Sequence, residues 1–221
     1  YRIRHSDGSY RWVQTRSYSR NDQTGWRRLV AITRDIHDEV TAQQQARKAE
    51  EELRQKLAHL ARTDQLTGQH NRLGAEELLQ QERARSERSG DALSIALIDI
   101  DRFKQLNDRF GHPTGDAVLK GMTRAVAQRL RPYDHLCRWG GEEFLVILPS
   151  TLLAEAFEIV ERVRSEVAQQ SFHEVGRLTF SAGVAQFSTE EAVESAIARA
   201  DRALYEAKAK GRNRSVQASP V

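Results

Sequence analysis

The stretch that most constrains this chain is Ala92 to Ile98, an apolar run with Ser94 as its single polar residue, closed by Asp99-Ile100-Asp101. A short apolar run of this kind reads as a buried strand, and Asp99, where it ends, is expected to emerge at the sheet edge rather than in the core. Around it the pattern alternates. A helix over 71–88 ends near Gly90, and two helices follow the strand, separated by the breakers Gly111, His112, Pro113 and Thr114. A hairpin comes next: Leu136 to Trp139, a turn at Gly140-Gly141, then Phe144 to Leu148. An amphipathic helix over 152–170 carries Leu153, Ala156, Ile159, Val160, Val163 and Val167 on one face. Leu178 to Ala185 is a further strand, and Ala192 to Lys210 the final helix. The order predicts an α/β (α+β) sandwich, with helices packed on a largely antiparallel sheet.

The first 63 residues have another texture. Residues 1–36 alternate polar with apolar or aromatic (Tyr1, Ile3, Tyr10, Trp12, Trp26, Leu29, Ala31, Ile32) around turn signals at Asp7-Gly8 and 21–25. They predict a three-stranded antiparallel meander, too small to be stable alone. Residues 37–63 lack Gly and Pro; Ala46, Leu53 and Leu60 repeat every seven, with Leu57 between. That seam, with Gln43 and Glu50 in alternate core slots, favours a weak dimeric coiled coil over a lone solvated helix.

Composition narrows the functional classes. Of 221 residues, 34 are basic and 31 acidic, a net charge of +3 that argues against a nucleic-acid-binding tail. No apolar run is long enough for a transmembrane span, and no secretory leader is expected. A single cysteine, Cys137, excludes an internal disulfide or a cysteine-based zinc cluster and reads as a small core residue in a reducing, cytoplasmic setting. The start at Tyr1 marks a piece of a longer protein.

If the run ending at Asp99 and the hairpin strands are neighbours, Asp99 and Glu142 converge, with Glu143 beside them. Clustered carboxylates repel unless a hard cation neutralises them, and Mg²⁺ with phosphate oxygens is the common solution. Phe103 and Lys104 open a helix whose free N–H groups and ammonium suit phosphate. Lys208 and Arg212, four apart near the last helix's C-terminus, offer a second clamp.

Gly140-Gly141-Glu142-Glu143-Phe144 is the GGEEF form of the signature of the GGDEF-family diguanylate cyclases, and the resemblance extends over almost all of 62–214. Asp64-Gln65-Leu66-Thr67-Gly68-Gln69-His70-Asn71-Arg72 resembles that family's DxLTGxxNR opening. Asp99 to Asp108, Gly111-His112, Gly115-Asp116, Thr179 to Ala185, Ala200 to Lys208 and Gly211-Arg212-Asn213 continue it.

The resemblance implies a sheet like that of the adenylyl cyclase core and polymerase palm, and condensation of two GTP into cyclic di-GMP plus two pyrophosphates. It implies Mg²⁺, with Mn²⁺ as substitute, on Asp99, the carbonyl of Ile100, Glu142 and Glu143. Glu142, Glu143 and Lys104 would be catalytic. Asn107 and Asp116 would read guanine, and His112, Gly140 and Gly141 would complete the substrate site, with Phe103, Lys104, Lys208 and Arg212 on phosphates. Arg131-Pro132-Tyr133-Asp134 resembles the family's RxxD product-inhibition site, joined by Arg162. Two such domains would have to face one another, so a homodimer is implied. Residues 1–36 resemble the closing strands of a PAS sensor, 37–63 a linker, 64–214 the cyclase domain and 215–221 a tail. No nucleic-acid or membrane contact is expected. The alternative is a silent module that binds cyclic di-GMP or GTP. Asp64 is expected to pair with Arg138, ahead of the signature turn.

Overall fold

The computed structural model describes residues 1–21, 23, 27–172, 175–188 and 191–219. The expected Trp26 of the meander lies outside them. The chain divides into two compact units, Tyr1–Ala58 and His59–Val221.

In the first unit β1 (Arg2–Arg4), β2 (Tyr10–Asn21) and β3 (Arg27–Asp35) form the expected antiparallel meander in the order β1-β2-β3. The turn into β2 is built by Asp7, whose Oδ1 accepts from the main chain and hydroxyl of Ser9, with Gly8 at φ 88°. Tyr18, Leu29, Val30 and Ile32 are exposed and Val13 is buried, so the sheet has little core of its own. Helix α1 (His37–Arg62) follows, with Asp38 and Glu39 in its first turn, where the positive helix end favours acidic side chains. None of its residues is buried; Leu53, Leu57 and Leu60 stand in solvent.

The second unit is the α/β body. Helix α2 (Arg72–Ser89) is capped by Asn71, whose side chain accepts from Gly74 N–H at 3.1 Å, and ends at left-handed Gly90. Then come β4 (Leu93–Ile100), α3 (Phe103–Phe110), α4 (His112–Ala127), β5 (His135–Gly140), β6 (Glu143–Pro149) and α5 (Leu153–Gln169). A small hairpin, β7 (Ser171–Phe172) with β8 (Gly176–Arg177), precedes β9 (Phe180–Gln186), α6 (Val193–Ala209) and β10 (Ser215–Gln217). The five-stranded sheet has the order β10-β9-β4-β6-β5, antiparallel except for β10 beside β9.

Every residue of β4 is buried because it is the central strand and both faces are covered. Ala96, Ile98 and Ile100 pack with residues of α3, α4 and α5; Leu93, Ile95 and Leu97 pack with residues of α2 and α6. β9 and α6 approach so closely that a Cβ on Gly183 would lie 2.0 Å from the Ala200 carbonyl oxygen.

Four local expectations are corrected. Asp99 does not emerge at a sheet edge: β6 and β9 both pair past it, leaving it 8% exposed within β4. His112, Pro113 and Thr114 do not break the chain but start α4, where proline fits because first-turn N–H groups have no helical partner. Gly140 belongs to β5 at an irregularity of the ladder, so the turn itself is Gly141-Glu142. The supposed tail supplies β10, and Ala218 after it is buried.

Candidate active site

Strand register sets the site. Asp99 on β4 lies directly opposite Glu143 on β6, and directly opposed residues share a face. That face is the one of Leu97, on which α6 packs, and Lys208 of α6 places its Nζ 2.8 Å from Asp99 Oδ2. Glu142, in the turn, accepts from Ile100 N–H through its carbonyl at 3.4 Å.

The electrostatics are those of crowded acids. Burial raises the Asp99 carboxyl pKa, Lys208 opposes this, and Glu142 and Asp101 add to the rise. Burial also raises Glu143, helped by Asp99, with Lys208 again opposing. Asp99 and Glu143 are hard oxygen donors, both pushed towards the neutral form by burial and by nearby carboxylates, and fit a divalent cation such as Mg²⁺. Here the Lys208 ammonium supplies the positive charge. Among the described residues no three acidic, His or Cys side chains gather closely enough to form a ready metal cage.

Lys104 is exposed in the first turn of α3, and Phe103 beside it is buried. The helix start at Arg102 carries no side-chain cap, so its N–H groups face outward unclaimed by one. On α3, Asn107 has a buried Oδ1 without a hydrogen-bond partner, pressed against Gly115 of α4; Asp116 and His112 on α4 are exposed. Thus the proposed guanine readers come from adjoining helices. Gly140 and Gly141 are exposed, Gly141 with φ 49°.

Lys208 and Arg212 do not form one helical face. The helix ends at Ala209, and Arg212 sits beyond it in the left-handed region at φ 64°, exposed. Arg131 and Asp134 meet through the backbone: Arg131 N–H donates to Asp134 Oδ2 at 2.8 Å, while the guanidinium lies over the Tyr133 ring. Asp134 Oδ1 is buried with no partner, and burial raises that carboxyl's pKa. Arg162 is exposed on α5.

The expected Asp64–Arg138 pair is present. Arg138 Nη1 donates to Asp64 Oδ1 and Oδ2 at 3.1 and 3.0 Å, while its Nε and Nη2 reach the Gly141 carbonyl at 3.0 and 2.9 Å. One guanidinium therefore ties the segment after α1 to the signature turn. Sequence reasoning missed Asp101. Its carboxylate accepts from Thr179 and Ser181 hydroxyls, both at 2.7 Å, and from Asn213 N–H at 3.0 Å, fixing the turn that holds Arg212. The available signal was the Thr179–Ser181 alternation leading into a strand.

With this arrangement in view, the family description "Diguanylate cyclase, GGDEF domain" matches residues 61–214. The chain belongs to the GGDEF-domain family. It is 47% identical over 157 residues to diguanylate cyclase DgcP of Pseudomonas aeruginosa, covering 70% of this chain and 23% of that protein. It is 42% identical over 188 residues to the response regulator PleD of Caulobacter vibrioides, covering 81% and 41%. The coiled coil and GGDEF domain of DgcB from Caulobacter crescentus, solved with c-di-GMP, superposes with TM-score 0.77 at 29% identity, covering 83% of this chain and 99% of that one. The active GGEEF domain of a Vibrio cholerae diguanylate cyclase gives TM-score 0.61 at 34% identity, covering 64% and 92%. The chain spans less than half the length of these two curated relatives.

Proposed function

We propose that this GGDEF domain condenses two GTP molecules into cyclic di-GMP, releasing two pyrophosphates, as a pair of domains facing one another. The observation that carries the reading is Glu143 set opposite Asp99, with a lysine ammonium already drawn to that carboxylate. The relatives' names support it.

Asp99, the Ile100 carbonyl, Glu142 and Glu143 would hold Mg²⁺ or Mn²⁺. When bound, the cation supplies polarisation of the α-phosphate and charge for the developing oxyanions. The protein's own groups do the rest. The N–H groups at the start of α3, with Lys104, Lys208 and Arg212, hold phosphate oxygens. Asn107 and Asp116, with His112 at the rim, read the guanine edge, and a carboxylate accepting from N1–H and the exocyclic amine disfavours adenine. Gly140 and Gly141 allow the hairpin to approach the nucleotide. The 3′-oxygen of each GTP forms a bond to the other's α-phosphorus as the α–β bridging bond breaks, and positioning dominates such a step.

Dimer assembly is assigned to the exposed seam Leu53, Leu57 and Leu60 of α1, and residues 1–36 are read as the end of a PAS sensor. Product inhibition is assigned to Arg131, Asp134 and Arg162. The unpartnered Asp134 Oδ1 and the free face of Arg131 support it, as does a neighbour's capture with c-di-GMP. No helix among the described residues is long and apolar enough to cross a membrane. Incubation with Mg²⁺ and GTP or ATP, followed by nucleotide chromatography, tests the reading. Cyclic di-GMP from GTP alone is expected; intact GTP, or GDP as sole product, overturns it.

A further inference from the structure

The face of α3 turned away from Asn107 borders a cleft of about 460 Å³ that shares with the proposed reaction only Arg212 among its arginines. Its rim carries Arg102 from the start of α3, Arg109 within it, Arg177 from β8 and Arg212 from the turn after α6. All four are exposed, and none is ion-paired among the described residues. Among the described residues, one carboxylate lines the cleft against these four guanidinium groups, Asp101, already engaged by two hydroxyls and a main-chain N–H. Leu106 and Leu178, both buried, make an apolar floor. Cationic groups around a low-dielectric wall focus positive potential into the cleft. Its size is that of a small-molecule site, too small for a folded partner or a nucleic-acid strand.

We infer that this cleft is a second anion site, and that it takes inorganic pyrophosphate. The geometry supplies the route. Arg212 belongs both to the cleft and to the turn that Asp101 fixes beside β4, and the cyclase reading assigns it to the nucleotide's phosphates, so it would link that site to the three other arginines. This rests on the cyclase reading, which makes pyrophosphate the leaving product. Guanidinium forks bind pyrophosphate oxygens in pairs, and Arg102, Arg109 and Arg177 offer forks that no carboxylate of the described residues claims. Arg109 is held in place over the Phe110 ring, 4.9 Å from its centroid.

Calorimetric titration of the whole chain with inorganic pyrophosphate, in Mg²⁺ and saturating α,β-methylene GTP, tests the inference. Pyrophosphate is expected to bind with the analogue present. Arg109→Ala combined with Arg177→Ala is expected to weaken it about tenfold or more, while Arg109→Lys with Arg177→Lys weakens it less. Both positions are exposed, and an unchanged melting temperature confirms that the variants fold. Loss of all pyrophosphate binding when the analogue saturates, or wild-type affinity in the double alanine variant, overturns the inference. Failure of the cyclase reading shows separately, as absence of cyclic di-GMP from GTP, and leaves the arginine comparison readable.

Discussion

Lys208 Nζ lies 2.8 Å from Asp99 Oδ2, across the junction of α6 and the central strand β4. Lysine thereby offsets a carboxylate that burial and its neighbours Glu142 and Asp101 push towards the protonated form. The Lys208 side chain is 31% exposed but Asp99 is buried, so the attraction is largely offset by the cost of desolvating the carboxylate and the pair's net contribution to stability is about 0–1 kcal/mol. Asp99 stands raised above its unfolded value, so its ionisation costs stability as pH rises through the folded pKa. Asp99→Asn removes that cost together with the ion pair. Denaturant melts at neutral pH should place the variant within about 1 kcal/mol of wild type. Its nucleotide-condensing rate should fall about 100-fold or more. A large stability loss with activity retained would make Asp99 structural.

Asp64 behaves in the opposite sense. Burial raises its carboxyl, but hydrogen bonds from Thr67 and Arg138 outweigh this and hold it below the ordinary range. Stability from its ionised form is complete above about pH 4 and is lost as pH falls through the lower folded value. Asp64→Asn should cost about 1–3 kcal/mol at pH 7 and flatten the acid limb of the stability curve. Denaturation at a series of pH values checks this; parallel curves would contradict it.

Gly115 abuts the proposed guanine reader. A Cβ there would sit 1.9 Å from Asn107 Oδ1, the end of a movable side chain. Gly115→Ala should therefore spare the fold and displace Asn107. The KM for GTP should rise about tenfold, the loss of about one good hydrogen bond. An unchanged KM would remove Asn107 from the nucleotide site.

Gly183 makes the contrasting case. Its added Cβ would meet the Ala200 carbonyl at 2.0 Å and the Leu204 nitrogen at 2.4 Å, both backbone. Gly183→Ala should cost about 3 kcal/mol by forcing α6 off β9. A melting temperature matching wild type would contradict the close approach.

The sheet was largely legible because Ala92 to Ile98 and Phe144 to Leu148 are short apolar runs of strand length, while glycine and proline placed the breaks only roughly: Pro113 opens α4 and Gly140 belongs to β5. The short pieces were not. Three residues of β10 carry too little pattern to stand out from a tail, yet their ladder to β9 closes the sheet. The facing of side chains was half-legible. That Asp99 and the signature hairpin are neighbours stood in the sequence only as a condition, which the β4–β6 pairing meets; which face Asp99 takes depends on register, and register puts it within reach of Lys208. Spacing misled at Arg212, since a left-handed residue past the helix end breaks the four-residue periodicity. Asp101 went unread because its partners come from a strand and a turn distant in sequence.

In the proposed reaction the carboxylates of β4 and the β5–β6 turn serve to join two guanosine triphosphates. The most direct measurement is the ratio of products: wild type and Glu142→Ala are incubated with GTP and Mg²⁺ at several chain concentrations, and cyclic di-GMP and pyrophosphate are both quantified. Two pyrophosphates per cyclic di-GMP, a rate per chain that climbs with concentration, and no product from Glu142→Ala are expected. Equal turnover by the variant, or phosphate release without cyclic di-GMP, would contradict that reaction.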